Sequence, residues 1–594
     1  MEEWGGVIGA AAAEASDSMK EPLLGSRGGG GGGSGGRLEE RGGDYEEDEE
    51  GEGELDPHVV EQYYSKVQNG RLYLAVLSTA LGPLSLGLTL GYSSPAIPDL
   101  ERSPEAQLRL SPAQVSWFGS LVTIGAVLAG PLAGLLVERL GRKPTLMLSA
   151  VPFVVGWLLL VTAQSPAALY AGRTLTGLAG GTASLVVPVY ISEVSHPAVR
   201  GALGSCMQLM VVLGIFTAYA AGLILGWRWL AVLCAVPPTL MLLLLVAVVP
   251  ESPRFLLSRP RRRAEAVAAL TVLRGDAVDV RTEIRLIRQG QQQQQQQERL
   301  SWRELRMPVL YKPLAVTMLL MTLQQFSGIN AVMLYAESIF RAAHIQNSAE
   351  APVMIAAVQV GVTLLSGFLM DRAGRKLLLC LSGVIMAASA ATFGAYFKLT
   401  GSGGNGTLGA LDLALPYAGG APDHGLAMEG AASTGSLGWL ALASMLLYIV
   451  GFSLGWGPIP WIVMSEVFPV RWRGVASGVC VAVNWTSAFV VTKEFHDFSE
   501  WLGFPGAFWF FASVCAAGFV LTIVALPETK GRSLEQIQAH FEGRPSPPSP
   551  PPPPLAASST PAAAASAAAA GAAAGSLGQA AVTGAGGELS AQEP

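Results

Sequence analysis

Gln208, Gln324, Gln325, Asn330, Gln359 and Asn484, together with Trp461 and Trp485, are polar groups set inside long apolar runs. A carboxamide donates and accepts hydrogen bonds without carrying charge, which suits a neutral, polyhydroxylated ligand better than an ion. An indole adds a flat apolar face and one N–H donor, a match for the C–H side of a sugar ring. The same amides can serve as glue between membrane helices, at roughly 0.6 kcal/mol apiece. Their clustering favours a site. Gly328 can unwind the run after Gln324-Gln325-Phe326-Ser327, and Gly455, Gly457, Pro458 and Pro460 can break the run before Trp461. Freed backbone of this kind is tolerated at membrane depth only beside protein or a water-filled path.

The elements that must hold these groups are membrane spans. The chain of 594 residues is 51% hydrophobic and 14% charged, with a mean hydropathy of +0.41, too apolar for a soluble protein of this length. Near-continuous apolar runs of about 20 residues fall at 72–92, 113–137, 144–164, 166–191, 201–226, 229–249, 313–336, 351–370, 377–397, 437–464, 474–492 and 503–526. Inside them Arg173 carries the one charge, expected either to gate the end of the path or to snorkel to the headgroups. The five cysteines, 206, 234, 380, 480 and 515, also fall in spans and are expected as free thiols.

An internal repeat organises the spans. Gly141-Arg142-Lys143, Ser192-Glu193-Val194 with Arg200-Gly201, and Pro250-Glu251-Ser252 recur in order as Gly374-Arg375-Lys376, Ser465-Glu466-Val467 with Arg473-Gly474, and Pro527-Glu528-Thr529. The fold class expected is therefore an all-α membrane protein of twelve transmembrane helices in two six-helix pseudo-repeats, with short cytosolic helices between the halves. The bundles are expected over 71–250 and 312–526, joined by a linker over 251–311. Residues 1–70 and most of 527–594 are expected to be disordered cytosolic regions, without a cleavable signal peptide. Within the linker, 260–288 suggests amphipathic helices with Val267, Leu270 and Leu273 on one side, and Gln291–Gln297 a low-complexity loop.

Lys and Arg collect between spans 2 and 3, between spans 8 and 9, and after span 6, so that side is expected to be cytosolic, with both termini. The segment 400–436 has no Lys or Arg and carries the sequon Asn405-Gly406-Thr407, an expected glycosylation site. A second sequon at Asn484 lies inside a span and should stay unmodified. Leu23-Leu24 resembles a dileucine sorting signal, which would engage a sorting adaptor and place the protein in late endosomal or lysosomal vesicles as well as the cell membrane. No metal cluster, nucleophile motif or phosphate loop is found, so no enzyme activity, catalytic residue, metal, cofactor or nucleic-acid partner is expected.

The motifs also carry a resemblance. Gly141-Arg142-Lys143, Pro250-Glu251-Ser252-Pro253-Arg254, Gln324-Gln325-Phe326-Ser327-Gly328-Ile329-Asn330, Gly457-Pro458-Ile459-Pro460-Trp461 and Pro527-Glu528-Thr529-Lys530-Gly531-Arg532 resemble the signatures of major facilitator superfamily sugar porters, specifically the facilitative glucose transporters. The resemblance implies the major facilitator fold and a hexose partner in the membrane lipid: glucose, with fructose or galactose as alternatives. It implies hexose contact by Gln208, Gln324, Gln325, Asn330 and Trp461, with Gln359, Asn484 and Trp485 nearby. Gln359 stands where Asn is usual and Ser453 where Glu is usual.

The resemblance also implies a cytosolic latch of Arg142, Glu193, Arg200, Glu251, Arg375, Glu466, Arg473 and Glu528. These charges are expected to pair across the halves when the path opens outward and to separate when it opens inward. Span 1 carries Thr89 where related symporters carry Asp. Without an acidic residue there is no obvious proton carrier, so facilitated diffusion by alternating access is expected, with proton symport or a non-transporting sugar sensor as the rival readings.

Overall fold

The structure is a computed structural model that describes residues 62–542, apart from 65, 106, 260, 276–277, 296–306, 344–349, 401–426, 470–471, 531 and 533. Asn405, Leu23 and Leu24 lie outside the described residues, as does the side chain of Arg473.

The first repeat comprises α1 (Gly70–Gly91) and its extension α2 (Ser93–Glu101), then α3 (Pro112–Arg139), α4 (Arg142–Val161), α5 (Pro166–Val194), α6 (Pro197–Gly222) and α7 (Trp227–Ala247). Proline at the first turn starts α3, α5 and α6, where its missing N–H costs nothing. Ser111 adds a capping box with Gln114 at the start of α3. Three short helices follow: α8 (Pro253–Leu257), α9 (Arg263–Arg274) and α10 (Arg281–Gln295).

The second repeat comprises α11 (Pro308–Phe326), α12 (Ile329–Leu334), α13 (Ala336–Ala342), α14 (Ala351–Ala373), α15 (Arg375–Leu399), α16 (Ala427–Gly451), a π-helical turn over Phe452–Trp456, α17 (Ile459–Val467) and α18 (Arg473–Ala525). A last helix, α19 (Leu534–Glu542), follows. The run α18 holds two helices that meet at Gly503, whose φ of 68° and ψ of 164° are not helical, so the eleventh and twelfth expected spans remain distinct on either side of it.

Nine helices among the described residues are long and apolar enough to cross a membrane. The difference from twelve has local causes. Spans eleven and twelve meet directly at Gly503 and so form one apolar stretch, Gly474–Ala525, and the described apolar stretch of span five shortens to Cys206–Gly222. Span seven divides at Gly328, in left-handed conformation with φ 91°. A side chain there would be strained by that φ and would drive its Cβ to 2.5 Å from the Phe511 ring.

Two linker expectations need correction. Leu270 and Leu273 are buried, but Val267 is 36% exposed, so the buried face of α9 runs through Ala266, Ala269, Leu270 and Leu273. The glutamine run continues α10 to Gln295. Glutamine is a good helix former, so low complexity alone does not break the helix. All five cysteines are free.

Between the repeats, α3 packs on α18 and α14 packs on α6. Among the described residues, hydrogen bonds cross from one repeat to the other at three places. Ser116 donates to Lys493 O (2.6 Å), Tyr219 donates to Met333 O (2.5 Å) and the Glu337 N–H donates to Ser94 Oγ (3.4 Å). Lys493 Nζ also sits 5.2 Å over the Trp117 ring. All lie at the end of the bundle opposite the repeated Gly-Arg-Lys motifs.

Candidate functional site

The break in span seven turns its amides toward those of α18. Asn330 Nδ2 donates to Gln325 Oε1 (2.6 Å), Gln325 Nε2 to Asn484 Oδ1 (3.1 Å), and Asn484 Nδ2 to Gln324 Oε1 (2.8 Å). Gln324 Nε2 then donates to the carbonyls of Trp456 (2.6 Å) and Gly457 (3.1 Å). These carbonyls can only accept, which fixes the direction of every amide back to Asn330. Asn484 is held the same way by Met321 O at 3.2 Å. Gln324, Gln325 and Asn484 are buried, whereas Asn330 is half-buried and its Oδ1 makes no hydrogen bond among the described residues. The chain thus ends in an amide that can meet a ligand hydroxyl as donor or acceptor.

The two expected indoles flank this chain. Trp485 follows Asn484 and packs on Leu86 and Ala126 of the first repeat, with its Nε1 buried and unpartnered. Trp461 is half-buried against the Met321, Phe468 and Cys480 cluster. Gln208 and Gln359 lie on the neighbouring helices α6 and α14 and are not hydrogen-bonded into the amide chain. Gln359 is buried with Oε1 unpartnered, as is Ser453 Oγ. The chain therefore joins four of the eight expected residues directly.

Some contributors escape sequence reasoning. Tyr448 donates to Ser327 O (2.8 Å), and Ser327 Oγ to Gln324 O (2.7 Å), bracing the backbone before Gly328. The backbone carbonyls of Trp456 and Gly457 have no signature beyond the Gly-Trp-Gly-Pro run that breaks span ten.

The repeated charged motifs form two matching clusters. Arg142 Nη2 pairs with Glu193 (2.6 Å), and Glu251 accepts from the N–H groups of Arg142 (3.1 Å) and Lys143 (3.3 Å) at the start of α4. Arg375 pairs with Glu466 (3.2 Å), and Glu528 accepts from the N–H groups of Arg375 (3.0 Å) and Lys376 (3.1 Å) at the start of α15. A carboxylate at a helix N-terminus meets unsatisfied donors and the positive end of the macrodipole. Gly141 (φ 105°) and Gly374 (φ 90°) let the chain turn under each carboxylate.

Among the described residues, the ion pairs Arg142–Glu193 and Arg375–Glu466 lie within one repeat, in place of the expected pairing across the halves. Each Arg reaches the Glu at the neighbouring helix end of its own repeat, while Glu251 and Glu528 are occupied by backbone donors. Arg200, exposed, donates to Ser195 O (3.0 Å). The clusters differ in one detail. Ser252 donates to the second oxygen of Glu193 at 2.5 Å, whereas Glu466 Oε2 and Thr529 Oγ1 are buried without partners. Burial raises the Glu251 carboxyl above the ordinary range against the opposing N–H bonds of Ser252, Lys143 and Arg142. Around Glu528 burial also raises, but the N–H bonds from Lys530, Arg375, Lys376 and Thr529 prevail and hold the carboxyl low.

Arg173 does not snorkel. It is fully buried and donates from Nε to Phe118 O (3.3 Å), from Nη1 to Thr89 O (2.8 Å) and from Nη2 to Ser93 Oγ (2.5 Å). Backbone carbonyls and the rings of Tyr92 and Phe118 stabilise its charge in place of water. The Thr89 hydroxyl is turned to Ser85 O at 2.8 Å, so the guanidinium meets backbone at this position.

Comparison with known proteins gives the family and the fold. The family described as "Sugar (and other) transporter" matches residues 59–541. The chain is 50% identical to "Solute carrier family 2, facilitated glucose transporter member 8" of Bos taurus, over 80% of this chain and 95% of that protein. It is 43% identical to "Solute carrier family 2, facilitated glucose transporter member 6" of Homo sapiens, over 80% and 92%. Its fold matches the proton:xylose symporter XylE bound to 6-bromo-6-deoxy-D-glucose, at TM-score 0.64 and 24% identity, over 80% of this chain and all of that one. By family match, by relatives aligned over nearly their whole length and by fold, the chain belongs to the sugar transporter family.

Proposed function

We propose that this protein carries hexoses across a membrane by facilitated diffusion, its two repeats rocking about a central site to expose it to one side and then the other. The relatives named as facilitated glucose transporters support the reading. The observation that carries it is the uncharged amide chain ending at Asn330. In it, Gln324, Gln325, Asn330 and Asn484 present hydrogen-bonding groups of fixed direction, Trp461 and Trp485 offer apolar faces, and Gln208 and Gln359 complete the wall when the repeats approach.

Facilitation rather than proton coupling rests on Thr89 and Arg173: with a guanidinium against backbone oxygen, no carboxylate is there to load and unload a proton. The end bearing Arg142 and Arg375 is the cytosolic one by its excess of Lys and Arg. On that assignment the bonds of Ser116, Tyr219 and Glu337 close the outer end, and the self-paired latch charges belong to the inward-opening arrangement. Both termini are cytosolic, Asn405 is the glycosylated residue, and Leu23-Leu24 engages a sorting adaptor for vesicle membranes. The experiment is counterflow of labelled glucose in liposomes holding purified protein, with fructose, galactose and a disaccharide as competitors. Wild-type protein exchanges glucose and Asn330→Ala loses most of it; equal exchange by both would remove the amide chain from the site.

A further inference from the structure

We propose that Trp456 is a positioning residue that sets sugar recognition from outside the pathway, by holding the carbonyl on which the amide chain is anchored. This rests on the reading that the chain from Gln324 to Asn330 meets the hexose. The π-helical turn Phe452–Trp456 replaces regular α-helical bonding, and Pro460 has no N–H to give the Trp456 carbonyl, so that carbonyl is placed by contacts outside the α-helical ladder. Trp456 does so on three sides.

Its N–H donates to Ser382 Oγ on α15 (3.1 Å), and Ser382 Oγ donates in turn to Gly451 O (2.5 Å). Its indole fills a socket between α15 and α18 that exists because two residues lack side chains. A Cβ at Gly518 would lie 2.5 Å from Cζ2, and a Cβ at Gly383 would lie 3.2 Å from Nε1. Its carbonyl receives Gln324 Nε2 at 2.6 Å.

The indole is buried, and its Nε1 has no partner. A buried indole N–H without a partner carries a desolvation cost. Smaller apolar residues would fill a socket without that cost, so the ring is held by its shape: the benzo edge sits over Gly518 and sets the depth of the turn. If the ring is pushed out, the Trp456 carbonyl moves and Gln324 loses the shorter of its two carbonyl anchors, keeping only the longer bond to Gly457 O. The amide chain from Gln324 through Asn484 and Gln325 then shifts, and the Asn330 amide is displaced from the position at which it meets the ligand.

The test uses full-length protein in liposomes. It reads KM and maximal rate for glucose and the ratio of uptake of glucose to its deoxy analogues, with Gly518→Ala, Trp456→Phe and the double variant. Gly518→Ala is expected to raise KM roughly tenfold and to flatten the glucose-to-deoxyglucose ratio, because a displacement of about 1 Å suffices to spoil an oriented contact. Phe lacks the benzo edge, so Trp456→Phe added to Gly518→Ala should recover most of the ratio, a coupling that a general loss of packing does not produce. Gly383→Ala, with its milder contact, gives the same readout should Gly518→Ala fold poorly.

An unchanged KM and ratio in Gly518→Ala and Gly383→Ala, with Gln324→Ala and Asn330→Ala both impaired, would overturn the role of Trp456 and leave the site standing. Unchanged values in Gln324→Ala and Asn330→Ala would overturn the site reading itself.

Discussion

Asn330 terminates a chain of amides whose direction is set at its other end, so its substitution should act on binding. Removing one net hydrogen bond to a neutral ligand costs about 1.5 kcal/mol, roughly tenfold in KM; Asn330→Ala should show this with a smaller change in maximal rate, measured by zero-trans uptake. Arg173 acts on stability. Lysine concentrates its charge at one point and cannot satisfy three acceptors in a planar fork. Arg173→Lys should therefore lower stability by about 2 kcal/mol, read as an earlier thermal transition in detergent with the apparent hexose affinity of the surviving fraction unchanged. At this scale much was legible. Gln324, Gln325, Asn330 and Asn484 stood out as amides in apolar runs, and they do meet. Trp456 O and Gly457 O were not legible, because a backbone carbonyl carries no side-chain signature.

At the scale of elements, the Gly-Arg-Lys motifs are helix starts that capture a carboxylate from another part of the same repeat, and the two captures differ in sign. Glu528 has a folded pKa below its ordinary value. Its stabilisation is present above the ordinary carboxylate range and is lost as pH falls through the folded pKa. Glu251 has a raised folded pKa, so its contribution is present below the ordinary value, with the proton on, and is lost as pH rises through the raised one. Glu528→Gln should thus lower stability near neutral pH and have little effect in acid. Glu251→Gln should be tolerated at neutral pH and flatten the decline on its approach. Thermal midpoints of both variants from acid to neutral pH check the pair, and identical profiles would contradict the assignment. The repeats made these elements readable in sequence, as did the breaks at Gly328 and Gly457. The place where the last two spans meet was not readable, because the chain turns there on the non-helical φ of Gly503 alone.

For the whole molecule, the sequence could specify two bundles but not which end they share, since closure depends on contacts between residues far apart in the chain. The structure joins them at Ser116, Tyr219 and Glu337. Removing the Tyr219 hydroxyl should weaken that closure by about 1 kcal/mol, or roughly fivefold in the open population. Tyr219→Phe should accordingly speed modification of a Ser94→Cys thiol by an impermeant reagent applied from that side. An unchanged rate would mean that the bond does not hold the end shut. The central claim, that an uncharged path lets hexose run downhill in either direction, is tested most directly by the accumulation ratio of labelled glucose in sealed liposomes under an imposed pH gradient. The ratio should settle at about one whichever side is acidic, because no carboxylate couples the sugar to a proton. Accumulation that follows the proton gradient, or a vesicle interior that never fills, would contradict it.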